Sequence, residues 1–534
     1  MSTTTPRRTL PWLLQAPASR DVSAPGWFER LPRWVSTGGV LLLLIAISAV
    51  IRTRYLSGQF WSDEAIAVGA ASHPLSAIPG ILRLEGSTPL YYFVLHIWIS
   101  IFGSSEAATH SLSLMLGLIA IPLSMWTGWS LFGRRAGMIA ATLFAVSAFL
   151  TQYGQETQAY ELLALIGLVA TASFLHGFVF RRRPYVIVFA LALTLMLYTS
   201  FWAIFFWAGA AVALIPVYRA SADQRGVLRD AGAAFGGALV LFAPWIPTLV
   251  YQISHDTSPF TYANFVGPTF PSSLLGGDRV LATLAVSAAL GMLPLLASDR
   301  RRTPAATTVW ALLALPVAAL LVAALLGLVW STWVTRYFAA IVAPLLLFAA
   351  FTSARAGLLG LAAIVISLAF VANAASFSPK YKSDMRDVAG ELAPLLAPGD
   401  VVLAAAPEQT PLAWYYLPAD LRYATTMGPV ADPRTMNWSD AYSRLAHADP
   451  RRTLDALVST LTPGQHLLVT RPLTEGSTAW KADWSGLVRR RAAQWGALLA
   501  ADPRLRPIPG ATAPHNYRGA CCVADSAIVY TRVG

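Results

Sequence analysis

Eleven apolar runs crowd the first 375 residues of this chain, at 35–51, 108–132, 136–153, 159–180, 185–199, 201–218, 231–250, 280–297, 307–329, 337–352 and 356–375. A helix needs about 20 such residues to cross about 30 Å of hydrocarbon, and most of these runs reach or approach that length. Hydrocarbon offers backbone amides no partner, so a chain with this pattern must satisfy its own hydrogen bonds as helices. Composition agrees: 56% of the 534 residues are hydrophobic, 12% are charged and the mean hydropathy is +0.54. That is too apolar for a soluble protein of this size. The expected fold is a polytopic α-helical membrane protein of about 11 spans, followed after residue 375 by a polar α/β domain.

The formal charge of +12 comes largely from arginines in short loops. They are Arg134-Arg135, Arg181-Arg182-Arg183, Arg219 with Arg225 and Arg229, Arg300-Arg301-Arg302 and Arg355. Arg7, Arg8, Arg20, Arg30 and Arg33 add to them in the tail at 1–34. Under the positive-inside rule these mark the cytoplasmic side. No basic face with interleaved aromatics is visible, so the charge argues for topology and against a nucleic-acid partner. The run at 89–103 decides the threading. As a helix its 15 residues reach only about 22 Å, short of a span. If it crossed, every arginine cluster from Arg134 to Arg355 would face outward. Laid in the interface or re-entrant, it leaves the amino terminus in the cytoplasm of a multi-pass plasma-membrane protein. The external parts are then a long loop at 52–107, a corner at 153–158, a second loop at 251–279, a turn at 330–336 and the domain at 376–534.

Polar residues converge on that external side. Phe60-Trp61 suits an anchor at the headgroups, and Ala65-Ile66-Ala67-Val68 after Asp63-Glu64 predicts a helix start whose dipole keeps both acids ionised. Two adjacent acids suit a general base, a cation binder or a metal ligand, or are an ordinary solvated pair. Gln152, Glu156 and Tyr160 recur every four residues, which predicts one helix face at the corner, with Gln155 and Gln158 beside it. A carboxylate there needs water, a partner or a ligand, and an interfacial cap with Tyr160 as a belt aromatic is the plainer alternative. Arg336-Tyr337 opens the tenth run against the arginine asymmetry, where a guanidinium either grips a phosphate or snorkels. His73, His96 and His110 lack metal-ligand spacing and read as packing or interfacial residues. Cys521 and Cys522 form neither a metal spacing nor a disulfide framework.

Within the polar domain, 384–396 is amphipathic at helical spacing and 484–500 is a basic amphipathic helix. The segments 401–406, 465–470 and 527–531 read as strands, and 502–514, rich in Pro and Arg, as irregular. No glycine-rich phosphate loop precedes a helix, which leaves nucleotide binding without support.

Five segments recur in order: Trp61-Ser62-Asp63-Glu64, Ser87-Thr88-Pro89-Leu90-Tyr91-Tyr92, Phe102-Gly103-Ser104-Ser105-Glu106, Gln155-Glu156-Thr157-Gln158-Ala159-Tyr160 and Arg336-Tyr337. Together they resemble the GT-C membrane glycosyltransferases, in particular family 39-like enzymes such as protein O-mannosyltransferases and the aminoarabinose transferase acting on lipid A. The resemblance covers 35–375 and implies a juxtamembrane helix at 89–103 and an external α/β domain. Two departures stand out. Ser87-Thr88-Pro89-Leu90 replaces a frequent His-Pro-Pro-Leu, and Gln158-Ala159-Tyr160 replaces Arg-x-Tyr, which alters the usual grip on the donor phosphate.

The resemblance implies a hexosyl or pentosyl donor on a polyprenyl phosphate carried in membrane lipid, and an envelope acceptor hydroxyl that attacks with inversion. Asp63 is then the general base, and Glu64 or Glu156 orients the acceptor or holds a divalent metal, the one cofactor the family leaves open. Arg336 neutralises the leaving phosphate. Tyr337, Tyr160, Gln155, Gln158, Thr88 and Pro89 line the donor site. The rival reading is a secondary transporter with Asp63, Glu64 and Glu156 as a cation or substrate site. Transporters bind near the midplane through broken helices, whereas here the runs are nearly free of acids.

Overall fold

The computed structural model describes residues 34–255, 270–296, 303–327, 334–372, 382–473, 483–514 and 524–534. The tail arginines, Arg300-Arg301-Arg302, much of the loop at 251–279, the start of the turn at 330–336 and both cysteines lie outside the described residues.

The chain enters through α1 (Val40–Thr53), and the first loop folds into α2 (Ser62–Ala71), α3 (Ile78–Glu85) and α4 (Pro89–Phe102) before the long α5 (Glu106–Phe132). Proline at the first position of α4 costs no hydrogen bond, and Gly103 at φ +85° ends it. Further helices follow at Arg134–Val146, Ala148–Tyr153, Tyr160–Phe174, Arg183–Thr199, Ile204–Ala220, Gln224–Phe242, Ile246–Ser254, Asp278–Leu296, Pro304–Leu326, Ala339–Arg355 and Gly357–Ala372. Among the described residues six helical stretches are long and apolar enough to cross a membrane: Glu106–Phe132, Tyr160–Val179, Phe201–Ala220, Gln224–Ser254, Pro304–Leu326 and Thr335–Arg355. Others, Arg183–Thr199 and Gly357–Ala372 among them, are shorter. Leu42, Ile187, Leu321, Leu325 and Leu358 are exposed on the outside of the bundle, where a lipid solvent leaves apolar side chains at no cost.

Beyond the bundle lies a six-stranded mixed sheet in the order β3-β2-β1-β4-β6-β5. Its strands are β1 (Val401–Ala404), β2 (Arg422–Thr425), β3 (Gly428–Val430), β4 (His466–Leu473), β5 (Leu505–Ala513) and β6 (Ala524–Arg532). β1 runs parallel to β2 and β4, while the outer pairs are antiparallel. All four residues of β1 are buried, as expected of a central strand covered on both faces. Val401 and Leu403 meet Leu454 and Trp495 on one face, and Val402 meets Val388 and Leu412 on the other.

That second face is not closed by the polar domain alone. Phe60, Ala65 and Val68, from α2 and the residue pair before it, complete the same cluster as Val402, Leu412 and Leu468. Polar ties reinforce the contact. The Phe60 amide donates to Tyr416 Oη at 2.8 Å, Ser383 Oγ donates to the Phe60 carbonyl at 2.6 Å, and Arg386 pairs with Glu106 at 2.5 Å. Gly69 lies so close to the Arg434 carbonyl that a Cβ there would overlap it. The sheet domain is thus clamped onto the first loop.

Several expectations change. The segment 502–514 is not irregular: it carries edge strand β5, with a register shift between Pro507 and Thr512. Proline is tolerated there because an edge strand has one unpaired side, and the shift absorbs the missing donors. Phe60 is not a headgroup anchor but fully buried, packed on Tyr415 and His110 with ring centroids 4.7 and 5.4 Å away. Gln152, Glu156 and Tyr160 do not share a helix face. The helix Ala148–Tyr153, capped by Ser147, ends there, and a new one starts at Tyr160. The intervening turn breaks the 3.6-residue phase that the spacing assumed.

Candidate active site

Asp63 and Glu64 open α2 at its second and third positions, after Trp61 in extended conformation. The helix start is as the sequence predicts. Glu64 Oε2 reaches back to accept the Trp61 amide at 3.3 Å, which fixes the angle at which α2 leaves the loop.

The two acids part company at once. Glu64 is fully buried. Its Oε1 takes hydrogen bonds from the Thr157 amide at 2.8 Å and Lys382 Nζ at 2.9 Å, and lies 2.8 Å from His110 Nε2. Burial alone would raise its pKa, but Lys382 and then His110 overcome that and hold it down at about 2. Glu64 therefore ties α2, α5, the corner and the sheet domain together, and a substrate has no access to it. The divalent cation that the family resemblance allows does not fit here, because the Lys382 ammonium already sits where the cation would. No group of three or more His, Cys, Asp or Glu able to hold a metal occurs among the described residues.

Asp63 points the other way, with 38% of its side chain exposed and Oδ2 3.6 Å from Arg336 Nη2. Burial of its surroundings raises its pKa, Arg336 pulls it back and Glu64 pushes it further up. Arg336 owes its position to aromatic packing. The turn Thr335–Phe338 is pinned by Tyr337 stacked on Trp202 (4.3 Å, 11°) and Phe338 stacked on Phe205 (5.2 Å, 7°). These stacks aim the guanidinium across the Trp61 ring at 5.3 Å. Its Nε is buried without a hydrogen-bond partner among the described residues.

Beside Arg336 lies a cavity of about 150 Å³ lined by Ala148, Phe149, Gln152, Tyr153, Ser273 and Thr335. Tyr153 and Tyr160 meet edge to face at 5.0 Å, and both feel the charge of Arg336. Asp63, Arg336, Tyr337 and Tyr160 thus form one locus. Gln155 is buried and bonds inward to the Thr151 carbonyl at 2.8 Å, while its own carbonyl accepts from Lys382 at 2.9 Å. Glu156 is buried near Tyr91 and Tyr153, its backbone carbonyl accepting from Ser113 at 2.6 Å. Gln158 is half-buried on the corner, and Thr88 and Pro89 are buried at the head of α4.

Residues that sequence reasoning passed over complete the surroundings. Glu85, at the end of α3, is pushed up to about 8, mainly by burial and further by Asp63. Glu408, in the sheet domain, is pushed up to about 7 by burial, with Asp63 again adding to the rise. Glu85 lies four residues before Pro89 in the quoted Ser87-Thr88-Pro89 segment, a proximity that could have drawn notice. Lys382 and Glu408 carry no local signal, because their roles exist only once the sheet domain docks.

The architecture matches solved structures. ArnT from Cupriavidus metallidurans bound to undecaprenyl phosphate superposes with a TM-score of 0.58 at 13% identity, over 93% of this chain and 98% of that one. The fold is GT-C. The same ArnT in the apo state gives 0.53 at 14% identity, over 81% and 92%. The archaeal oligosaccharyltransferase AglB from Archaeoglobus fulgidus, in complex with an inhibitory peptide and a dolichol-phosphate, gives 0.50 at 12% identity, over 82% and 70%. No protein-family model matches the sequence, and no curated protein sequence does. The helical bundle with its α2–α4 loop and the sheet domain together make up the shared fold, across nearly the whole chain.

Proposed function

We propose that this chain is a membrane glycosyltransferase that moves a hexosyl or pentosyl group from a polyprenyl-phosphate donor to an acceptor hydroxyl on the external face, with inversion. The observation that carries the reading is the Asp63–Arg336 pair at 3.6 Å beside a cavity, in a fold shared with an ArnT structure that binds undecaprenyl phosphate. The donor phosphate competes with Asp63 for the guanidinium, using its forked donors, and frees the carboxylate as it binds. Asp63 takes the proton of the acceptor hydroxyl while that oxygen bonds to the anomeric carbon. The bond from that carbon to the phosphate oxygen breaks, and the electron pair leaves with the polyprenyl phosphate. Arg336 balances the charge that grows there.

Glu64 takes no proton in this scheme. It positions Asp63 by fixing the start of α2, and Lys382 keeps it ionised. Tyr337 and Tyr160 line the donor sugar. The test is incubation of the purified protein with a panel of polyprenyl-phosphate sugars, following donor consumption. Asp63→Asn is expected to slow consumption by roughly 10²–10⁴-fold while donor binding persists, and consumption at the wild-type rate removes Asp63 from the base role. Topology is tested separately: a periplasm-active reporter fused after Ala375 is expected to be active and one at Arg182 silent.

A further inference from the structure

Two charged side chains that the proposed transfer does not use lie fully buried in the helical bundle. They are Arg52, in the last turn of α1, and Glu161, in the first turn of the helix Tyr160–Phe174. Arg52 Nη1 lies 3.7 Å from Glu161 Oε1. Taking both charges out of water is costly, and their attraction repays it only with close geometry and further hydrogen bonds. Here Arg52 Nε and Nη1 and both Glu161 oxygens make no hydrogen bond among the described residues. The pair is therefore poorly explained as a source of stability. Ionisable side chains among membrane helices are expensive to keep and mark functional positions.

What the pair touches accounts for its place. Arg52 Nη2 donates to the Phe144 carbonyl at 3.0 Å, in the last turn of the helix Arg134–Val146. Gly154 rests on the pair from the other direction: a Cβ there would lie 3.3 Å from Glu161 Oε1 and 3.4 Å from Arg52 Cδ. Gly117 of α5 packs on the guanidinium, where a Cβ would overlap Nη1. Between Phe144 and Gly154 runs the short helix Ala148–Tyr153. It supplies Ala148, Phe149, Gln152 and Tyr153, most of the lining of the cavity beside Arg336. Tyr160, next to Glu161 in the chain, meets Tyr153 edge to face. A helix of 6 residues has too few internal hydrogen bonds to hold its own direction, so whatever grips its two ends decides where its side chains point.

We propose that Arg52 and Glu161 are positioning residues, whose buried pair grips both ends of the helix Ala148–Tyr153 and so holds the cavity wall and Tyr160 ready for the polyprenyl-phosphate donor. This rests on the sugar-transfer reading above. Neither residue reaches the reacting atoms. Asp63 and Arg336 stand on other elements, α2 and the turn Thr335–Phe338. Loss of the pair therefore acts on donor binding more than on the chemical step.

The test uses the full-length purified protein, with undecaprenyl phosphate as the binding probe and the panel of polyprenyl-phosphate sugars for turnover. The double variant Arg52→Met/Glu161→Leu separates positioning from stability, because apolar side chains can replace a buried ion pair without loss of Tm. It is expected to keep the wild-type Tm, to bind undecaprenyl phosphate roughly tenfold more weakly and to raise the donor KM by a similar factor, with kcat changed less. Wild-type Tm, affinity and KM together in that variant would show a purely structural pair and overturn the proposal. Gly117→Ala decides the matter should the double variant fail to fold. It keeps both charges and displaces the guanidinium, so weaker binding is expected and unchanged affinity overturns the proposal. A wild-type protein that binds undecaprenyl phosphate but consumes no donor would sink the transfer reading and leave the positioning role to the binding measurements. One that does not bind the lipid phosphate overturns both.

Discussion

Asp63 and Glu64 are adjacent, chemically near-identical acids whose pKa values the fold shifts in opposite directions. Glu64 is held at about 2 by Lys382 and His110 against its own burial, whereas burial raises Asp63 above its ordinary value despite Arg336. Environments that push paired acids apart divide their roles. In the proposed transfer Asp63 is the base, which works only when ionised, so kcat/KM is expected to rise with pH through the raised pKa of Asp63 and level off above it. Asp63→Asn is expected to remove that limb and cost roughly 10²–10⁴-fold in rate, measured as initial rates across pH with circular dichroism unchanged. Arg336→Lys keeps the charge but loses the fork and the seat on Trp61; a fall of tenfold or more in kcat/KM, about 1.4 kcal/mol, is the expected outcome. The sequence revealed both acids and the arginine. It hid which acid faces the site, because Lys382 lies 318 residues from Glu64 along the chain.

At the scale of the element, α2 is where the helical bundle and the sheet domain meet. The near end is fixed by Glu64 and by Phe60 just before it, the middle by Ala65 and Val68 in the sheet-domain core, and the far end by Gly69 against the Arg434 carbonyl. Glu64→Gln leaves Lys382 without its charged partner, and breaking such a buried pair typically costs about 3–5 kcal/mol. The sign of the pH effect follows from the lowered pKa. The stability Glu64 confers is fully present above the ordinary carboxylate range and is lost as pH falls toward about 2. The Tm of the wild type is therefore expected to drop over that range more steeply than that of Glu64→Gln. Gly69→Val is expected to undock the domain through backbone collision, seen as increased protease access to the loop before α2. The corner at 153–158 shows where pattern reading stops. A four-residue spacing predicts one face only if the helix continues, and Ser147 and Gly154 divide it into separate turns.

Across the whole molecule, the sheet domain is built into the body that carries the candidate site. It supplies Lys382 to Glu64, brings Glu408 within electrostatic reach of Asp63, and covers Phe60. Removing 382–534 exposes that apolar patch and leaves Glu64 buried beside His110 without its ammonium. The truncated chain is expected to lose transfer and to aggregate on size-exclusion chromatography in detergent, whereas a merely appended domain would leave a monodisperse, active bundle. Hydrophobic runs, arginine asymmetry and five short ordered segments determined a helical membrane fold and pointed to Asp63, Arg336, Tyr160 and Tyr337, which the fold brings to one locus, because lipid leaves a backbone few choices and those signals are local. Only the tertiary structure decided which acid is open, where Arg336 points and what the sheet domain contributes. Those outcomes depend on burial and on charges far apart in the chain, and neither is set until the sheet closes over α2.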